Sequence, residues 1–179
     1  MTWKNNTQKV VFTGVMAAVL AVLSILSIPL PSGVPITLQT FAVALCGYLL
    51  GPALGPAAVA VYLAVGAVGL PVFAGMTSGV GVLVGVTGGY LWGFLLLALL
   101  CGLGMRTGKH WAALLLGLAG LAACHLCGCV WFAAVSHTGL AETFLLASAP
   151  YLIKDGLSVA GAYAVAQAVR VSFRKAGAA

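Results

Sequence analysis

One pair of adjacent charges stands inside an otherwise apolar run near the end of the chain. Lys154 and Asp155 lie in PYLIKDGLS, residues 150–158, and the following residues are uncharged as far as Val169. A charge at the centre of a bilayer costs about 2.5–3.5 kcal/mol on insertion scales, so such residues usually face a cavity or a partner group. We therefore predict that Lys154 and Asp155 face a cavity and mark a functional site. The alternative is a position at the membrane edge.

A second group of reactive side chains, CHLCGC at residues 124–129, resembles a fragment of a metal site. Cys124 and Cys127 would share one helical face. A closed zinc site needs four ligands, however, and no second pair of this kind is available elsewhere. We predict no metal and interpret the cysteines as packing residues. His125 is interpreted as a hydrogen-bonded packing residue, with a proton relay as the alternative.

Catalytic sets are not evident in the sequence. His137 and Glu142 share a predicted loop, which is weak support for a membrane enzyme acting on lipid, and no Ser, His and Asp fall together on one predicted face. The nucleotide-binding pattern G-x-x-x-x-G-K-[ST] does not occur. The sequence thus favours a protein that is not an enzyme and carries no cofactor.

The composition indicates an integral membrane protein. The chain is 63% hydrophobic and 6% charged, whereas soluble domains carry about 25% charged residues. We predict an all-α fold in a single domain over residues 1–179. Six transmembrane helices are expected at about 10–28, 37–50, 53–70, 89–105, 111–135 and 151–171. The net charge of +6 comes mostly from the ends of apolar runs, which predicts contact with the lipid bilayer and not with nucleic acid.

Two connections between the predicted helices stand out. A tight turn is expected at GPALGP, residues 51–56. Residues 71–89 are uncharged and contain six glycines, too many for a regular helix. Irregular backbone at membrane depth survives only where protein buries it or where it lines a cavity. We predict that this segment is a lid or pocket wall, and that Gln39 and Thr40 face the same cavity from the start of the second helix.

The basic residues predict an orientation. The N-terminal tail and the 106–110 loop hold two basic residues each, and the C-terminal tail holds three. By the positive-inside rule all three regions are cytoplasmic, including both termini. The connections near 29–37, 70–89 and 136–150 then lie outside. The Lys154–Asp155 pair falls toward the same side, which predicts a binding site open to the exterior.

Three spaced segments resemble the BioY family. They are PITLQTFAVALCGYLLGPALG at 35–55, YLAVGAVGLPVF at 62–73 and TGGYLWGF at 87–94. Members of this family are the biotin-binding substrate-capture (S) components of energy-coupling-factor (ECF) vitamin transporters. The resemblance implies a six-helix fold, capture of biotin at the outer face of the cell membrane, and assembly with an EcfT-like transmembrane coupling protein and an ABC-type ATPase pair. An S component for a different vitamin is the alternative.

The resemblance also implies site residues. Ala17 and Ala21 match the small-residue motif that contacts the coupling protein. Val86 stands where the family often has Pro, and Lys154 directly precedes the acid, whereas many members place an acid one turn before a Lys. Biotin offers ureido N–H donors, a carbonyl and an apolar ring for aromatic walls such as Trp92. The ligand-binding residues implied are Asp155, Lys154, Tyr90, Gly88, Gly89, Thr87, Gln39, Phe73 and Tyr151.

Overall fold

The protein is built almost entirely of helices. The computed structural model describes residues 5–28 and 35–176. The elements are α1 (Asn6–Ile25), β1 (Ser27–Ile28), β2 (Ile36–Thr37), α2 (Gln39–Ala67), α3 (Val80–Val84), α4 (Gly88–Arg106), α5 (His110–Ser136), α6 (Leu140–Ala147) and α7 (Leu152–Ala176). By length and composition, α1, α2, α4 and α5 can each cross a membrane. The prediction of an all-α membrane protein is confirmed.

The longest helix, α2, is folded back on itself at Gly51. This residue has φ 85° and ψ −176°, a conformation that glycine adopts without the steric cost of a Cβ. Gln39 Nε2 donates a hydrogen bond to the Tyr62 hydroxyl at 2.8 Å, although along a straight helix these residues would be about 35 Å apart. The halves 39–50 and 52–67 are therefore antiparallel.

The turn expected over residues 51–56 is thus confined to Gly51. Pro52 begins the second half of α2, where an absent N–H costs little, whereas Pro56 lies one turn further in and leaves the carbonyl of residue 52 without its helical donor. The two halves correspond to the helices predicted at 37–50 and 53–70. The first predicted helix ends three residues early, at Ile25, because Ser27 and Ile28 pair with β2 in an antiparallel ladder.

The helices that surround the centre of the bundle approach each other closely. α4 packs against α5 and α2, while α1 and α7 pack against α2. A Cβ built on Gly93 of α4 would lie 2.9 Å from the Cα of Cys124 on α5. Small residues at helix contacts allow this approach inside a bilayer, where packing and not hydrophobicity drives association. The backbones of α4 and α5 are thereby held at a short distance from each other.

The chain direction separates two ends of the bundle. One end carries the α4–α5 loop, the Gly51 bend and the end of α7. There Arg170 donates to the carbonyl oxygen of Tyr48 at 2.7 Å, a group left without its helical partner where α2 breaks. The other end carries β1 and β2, residues 68–87 and α6. This grouping agrees with the predicted one, whereas the number of crossings and the side on which the termini lie remain predictions.

Candidate functional site

A cavity of about 530 Å³ opens where the irregular segments meet. Its volume lies within the range of small-molecule sites. The walls come from the β1–β2 region, the start of α2, residues 73–87, α4, α5 and the start of α7. The predicted ligand-binding residues that line it are Asp155, Lys154, Tyr90, Thr87, Gln39, Phe73 and Tyr151.

Lys154 and Asp155 form an ion pair at the cavity wall. Lys154 Nζ lies 2.5 Å from Asp155 Oδ1 and donates to the carbonyl oxygen of Thr37 at 3.0 Å. The Asp155 side chain is 7% exposed and that of Lys154 is 31% exposed. Oδ1 is buried and accepts no hydrogen bond of regular geometry from any residue that the structure describes. The ammonium group thus covers an acceptor with spare hydrogen-bonding capacity.

The second oxygen of Asp155 meets His125, which was predicted to be a hydrogen-bonded packing residue. His125 Nε2 lies 3.3 Å from Asp155 Oδ2, and His125 Nδ1 lies 2.9 Å from Ser148 Oγ. The expectation that no Ser, His and Asp fall together was wrong, because Ser148 comes from the turn between α6 and α7, which helical periodicity does not place. Ser148 is fully buried and does not line the cavity, so it is not placed as a nucleophile.

Phe73 anchors the irregular segment to α2. Its buried ring meets that of Tyr62 edge to face, with centroids 5.4 Å apart, a favourable arrangement for aromatic pairs. A Cβ on Gly66 would overlap the Phe73 ring, so the ring occupies a notch that only glycine provides. Gln39 donates to Tyr62 and accepts from the Thr37 hydroxyl at 3.2 Å. Both polar atoms of the Gln39 amide are therefore engaged within the wall.

Two of the predicted ligand-binding residues, Gly88 and Gly89, do not line the cavity. Both are buried at the start of α4. A Cβ on Gly89 would lie 2.7 Å from the carbonyl oxygen of Cys127, and one on Gly88 would overlap the carbonyl oxygen of Leu83. In this structure Gly89 allows α4 to begin directly against α5, and Gly88 allows it to begin against the backbone of α3.

Two indole groups hold the segment that was predicted to be a lid or wall. Trp92 Nε1 donates to the carbonyl oxygen of Leu83 at 3.2 Å, and Trp131 Nε1 donates to that of Gly85 at 2.9 Å. Trp92 is 45% exposed and lies outside the cavity lining, so it does not wall the cavity as expected. Each indole N–H is a donor, and the two bonds tie α3 and the residue after it to α4 and α5. The segment is thereby held in place as a wall of the cavity.

One face of α5 contributes lining that sequence reasoning missed. Leu121, Cys124 and His125 line the cavity, and their spacing of three and four residues places them on one side of the helix. The spacing was visible in the sequence. In a helix that is hydrophobic all round, however, periodicity does not show which side faces inward.

The small residues of α1 are divided between the core and the surface. Ala17 is 7% exposed and belongs to the core, and Ala21 is partly buried against it. The neighbouring stripe of Gly14, Ala18 and Val22 is exposed. The exposed stripe of α1 is therefore displaced by about one residue from the predicted pair, and contact of Ala17 and Ala21 with a coupling protein remains a prediction.

An apolar helical bundle with an ion pair at the wall of a cavity is the architecture of a membrane protein with a candidate small-molecule site. The crystal structure of "the S-component for biotin from an ECF-type ABC transporter" has the same fold, with a TM-score of 0.84 and 28% identity over 95% of this chain and 94% of that one. The BioY family model matches residues 1–175. The chain belongs to the BioY family.

Relatives from two organisms carry the same family name. The chain is 37% identical over 134 residues to the "Probable biotin transporter BioY" of Pyrococcus horikoshii, covering 75% of this chain and 79% of that protein. It is 46% identical over 115 residues to the "Biotin transporter BioY" of Thermotoga maritima, covering 64% and 68%. The family and these neighbours are transport components and not enzymes.

Proposed function

We propose that the protein captures biotin at the outer face of the cell membrane, as the S component of an ECF-type vitamin transporter. The observation that carries the proposal is the Lys154–Asp155 pair at the wall of the cavity, in a chain that belongs to the BioY family. Biotin has two ureido N–H donors, a ureido carbonyl and an apolar valeryl chain. Such a ligand suits a mostly apolar cavity with a few placed polar groups.

The ion pair suggests how the ureido group is held. In this structure Lys154 covers Asp155 Oδ1. In the proposed complex the partly exposed ammonium group moves aside, and a ureido N–H takes its place at Oδ1. Hydrogen bonds to an ionised acceptor are stronger than neutral ones. The displaced Lys154 then meets the ureido carbonyl or the ligand carboxylate, and Phe73 and Tyr90 supply aromatic surface for the ring.

Calorimetry with the detergent-solubilised protein tests this function. Biotin is expected to bind at one site per chain, whereas riboflavin and thiamine are not expected to bind. Circular dichroism verifies that the sample is helical before titration. A folded protein that does not bind biotin contradicts the proposal, and binding of another vitamin would instead indicate an S component of different specificity.

The proposed topology has six crossings with both termini in the cytoplasm. In a background without the five native cysteines, Thr138→Cys at the cavity end is expected to react with an impermeant thiol reagent in intact cells. Lys109→Cys at the opposite end is expected to react only after the cells are opened. Ser32→Cys, which lies outside the described residues, is also expected to react from outside. Labelling of Lys109→Cys alone in intact cells would reverse the orientation.

The proposed partners are a transmembrane coupling protein and a pair of ABC-type ATPases. Membership of the BioY family supports them, as does a structural neighbour that is described as a component of an ECF-type ABC transporter. The sequence has no G-x-x-x-x-G-K-[ST] loop, so the proposal assigns ATP hydrolysis to the separate subunits. The exposed stripe of α1 is the proposed contact with the coupling protein.

A further inference from the structure

We propose that His125 is a positioning residue which, held by Ser148, fixes the Asp155 carboxylate for the ligand. The inference deepens the proposed function and rests on it, since the ligand in question is the one bound in the cavity. His125 touches Asp155 on the side turned away from Lys154, because the two partners meet different carboxylate oxygens.

A continuous chain of polar groups leads to Asp155 from three other segments of the fold. Asp155 Oδ2 lies 3.3 Å from His125 Nε2, and His125 Nδ1 lies 2.9 Å from Ser148 Oγ. Ser148 Oγ in turn lies 2.8 Å from the Tyr90 hydroxyl and 3.0 Å from Cys129 Sγ. This series of polar groups therefore connects α4, α5 and the α6–α7 turn to the start of α7.

The order of protons along this chain follows from what each group can donate. An ionised carboxylate only accepts, so Nε2 of His125 must carry a proton in order to bond Asp155. Nδ1 of the neutral imidazole then accepts, and the Ser148 hydroxyl is its donor. Ser148 Oγ accepts from the Cys129 thiol or from the Tyr90 hydroxyl, whose single proton also faces the carbonyl oxygen of Ala147 at 3.0 Å. The bonding pattern thus places a proton on Nε2 of His125, and for the neutral imidazole this is the Nε2–H tautomer.

This arrangement separates the two oxygens of Asp155 by role. Oδ2 is bonded to a buried imidazole that is itself held by a fully buried serine. Oδ1 is paired with Lys154, the more exposed partner. A bond at Oδ2 restrains rotation of the carboxylate, so Oδ1 keeps its direction when Lys154 moves aside. A group held in its binding geometry by a second layer of hydrogen bonds loses less freedom when the ligand arrives.

Two substitutions of His125 separate positioning from packing. His125→Leu removes the donor to Asp155, and biotin affinity is expected to fall about 10-fold or more, as for other charge-assisted hydrogen bonds. His125→Gln can place an amide N–H near the position of Nε2 and is expected to recover most of the loss. Ser148→Ala removes only the group that orients the imidazole and is expected to cause a smaller loss. Calorimetry measures all three, and thermal melting verifies that each variant is folded.

A double-mutant cycle shows whether His125 acts through Asp155. If it does, His125→Leu has little further effect on affinity once Asp155→Asn is present, because the bond it removes no longer serves an ionised carboxylate. Equal and additive losses in both backgrounds would overturn the positioning role. So would a folded His125→Leu variant that binds biotin as tightly as the parent, or a His125→Gln variant as weak as His125→Leu.

The tautomer can be measured without any ligand. In protein carrying ¹⁵N-labelled histidine, the imidazole signals that are lost in His125→Gln are expected to show a protonated Nε2 and an unprotonated Nδ1. A protonated Nδ1 with a bare Nε2 would overturn the inference whether or not biotin binds and whether or not His125→Leu folds. Failure of the parent to bind biotin, with the Nε2–H tautomer present, would instead count against the proposed function.

Discussion

Asp155→Asn is expected to bind biotin about 10- to 150-fold more weakly than the parent protein. The amide keeps the shape of the carboxylate but loses its charge and one acceptor. Hydrogen bonds to a charged group contribute roughly 1.5–3 kcal/mol, which gives this range of affinity. The substitution also leaves the Lys154 ammonium without the carboxylate that now lies 2.5 Å away, and breaking one side of a largely buried ion pair is costly.

Glu142→Gln is the matched control for Asp155→Asn. Glu142 is the one other acidic residue of the sequence, and it is exposed on α6, so the same chemical change should leave biotin binding unaltered. Lys154→Met should weaken binding as well, because it leaves Asp155 unpaired on the cavity side. If folded Asp155→Asn binds biotin as tightly as the parent, the ion pair is only a packing or topological feature, and the ligand contacts would lie around Gln39 and residues 87–90.

Ala18→Trp is expected to abolish assembly with the coupling protein while leaving biotin binding intact. Ala18 lies on the exposed stripe of α1, and a Cβ built on Gly14, one turn earlier, meets no heavy atom of the described residues within 4 Å. Close contact between two membrane helices depends on small side chains. An indole on this stripe would hold the two helices apart.

Ala17 and Ala21, the pair predicted from the sequence, can be compared with Ala18 on the same helix. Ala17→Trp with Ala21→Trp was expected to have this effect, but Ala17 lies in the core, so an indole there would overpack the α1–α2 contact and reduce stability. Ala164→Trp, at an exposed alanine of α7, is the matched surface control. The measurement is co-purification of each variant with tagged ATPases, and undiminished recovery of Ala18→Trp would contradict the proposed interface.

The sequence predicted those features whose alternatives are energetically costly. Apolar runs of about 20 residues predicted the helices, because a backbone in lipid must satisfy its own hydrogen bonds. Lys154 and Asp155 were predicted to face a cavity because unpaired charges in lipid are expensive, and the structure places both at the cavity wall. GPALGP, residues 51–56, predicted a tight turn, and α2 does fold back within it, at Gly51.

The remaining features depend on which way a side chain points, and the sequence carries little information on this. His125 and Ser148 meet only because α5 and the α6–α7 turn converge on Asp155. Ala17 and Ala18 are adjacent alanines on an apolar helix, so the sequence does not show which of the two faces inward. Glycine likewise suits both ligand approach and helix approach, and at Gly89 the structure shows helix approach.

The folded-back α2 has a consequence for the surrounding lipid. In the proposed topology each half is one crossing, and residues 39–50 and 52–67 are only about 18 and 24 Å long at 1.5 Å per residue, whereas the hydrocarbon layer of a bilayer is about 30 Å thick. A span that is too short is accommodated by a locally thinner bilayer or by long side chains that reach toward the headgroups. Arg170, bonded to the backbone beside the Gly51 bend, has both the length and the charge to draw headgroups and water inward at this point. The hydrophobic mismatch is therefore concentrated beside α2. We expect the bilayer to be locally thinner there, in the leaflet that meets the Gly51 bend, at the end of the bundle opposite the cavity.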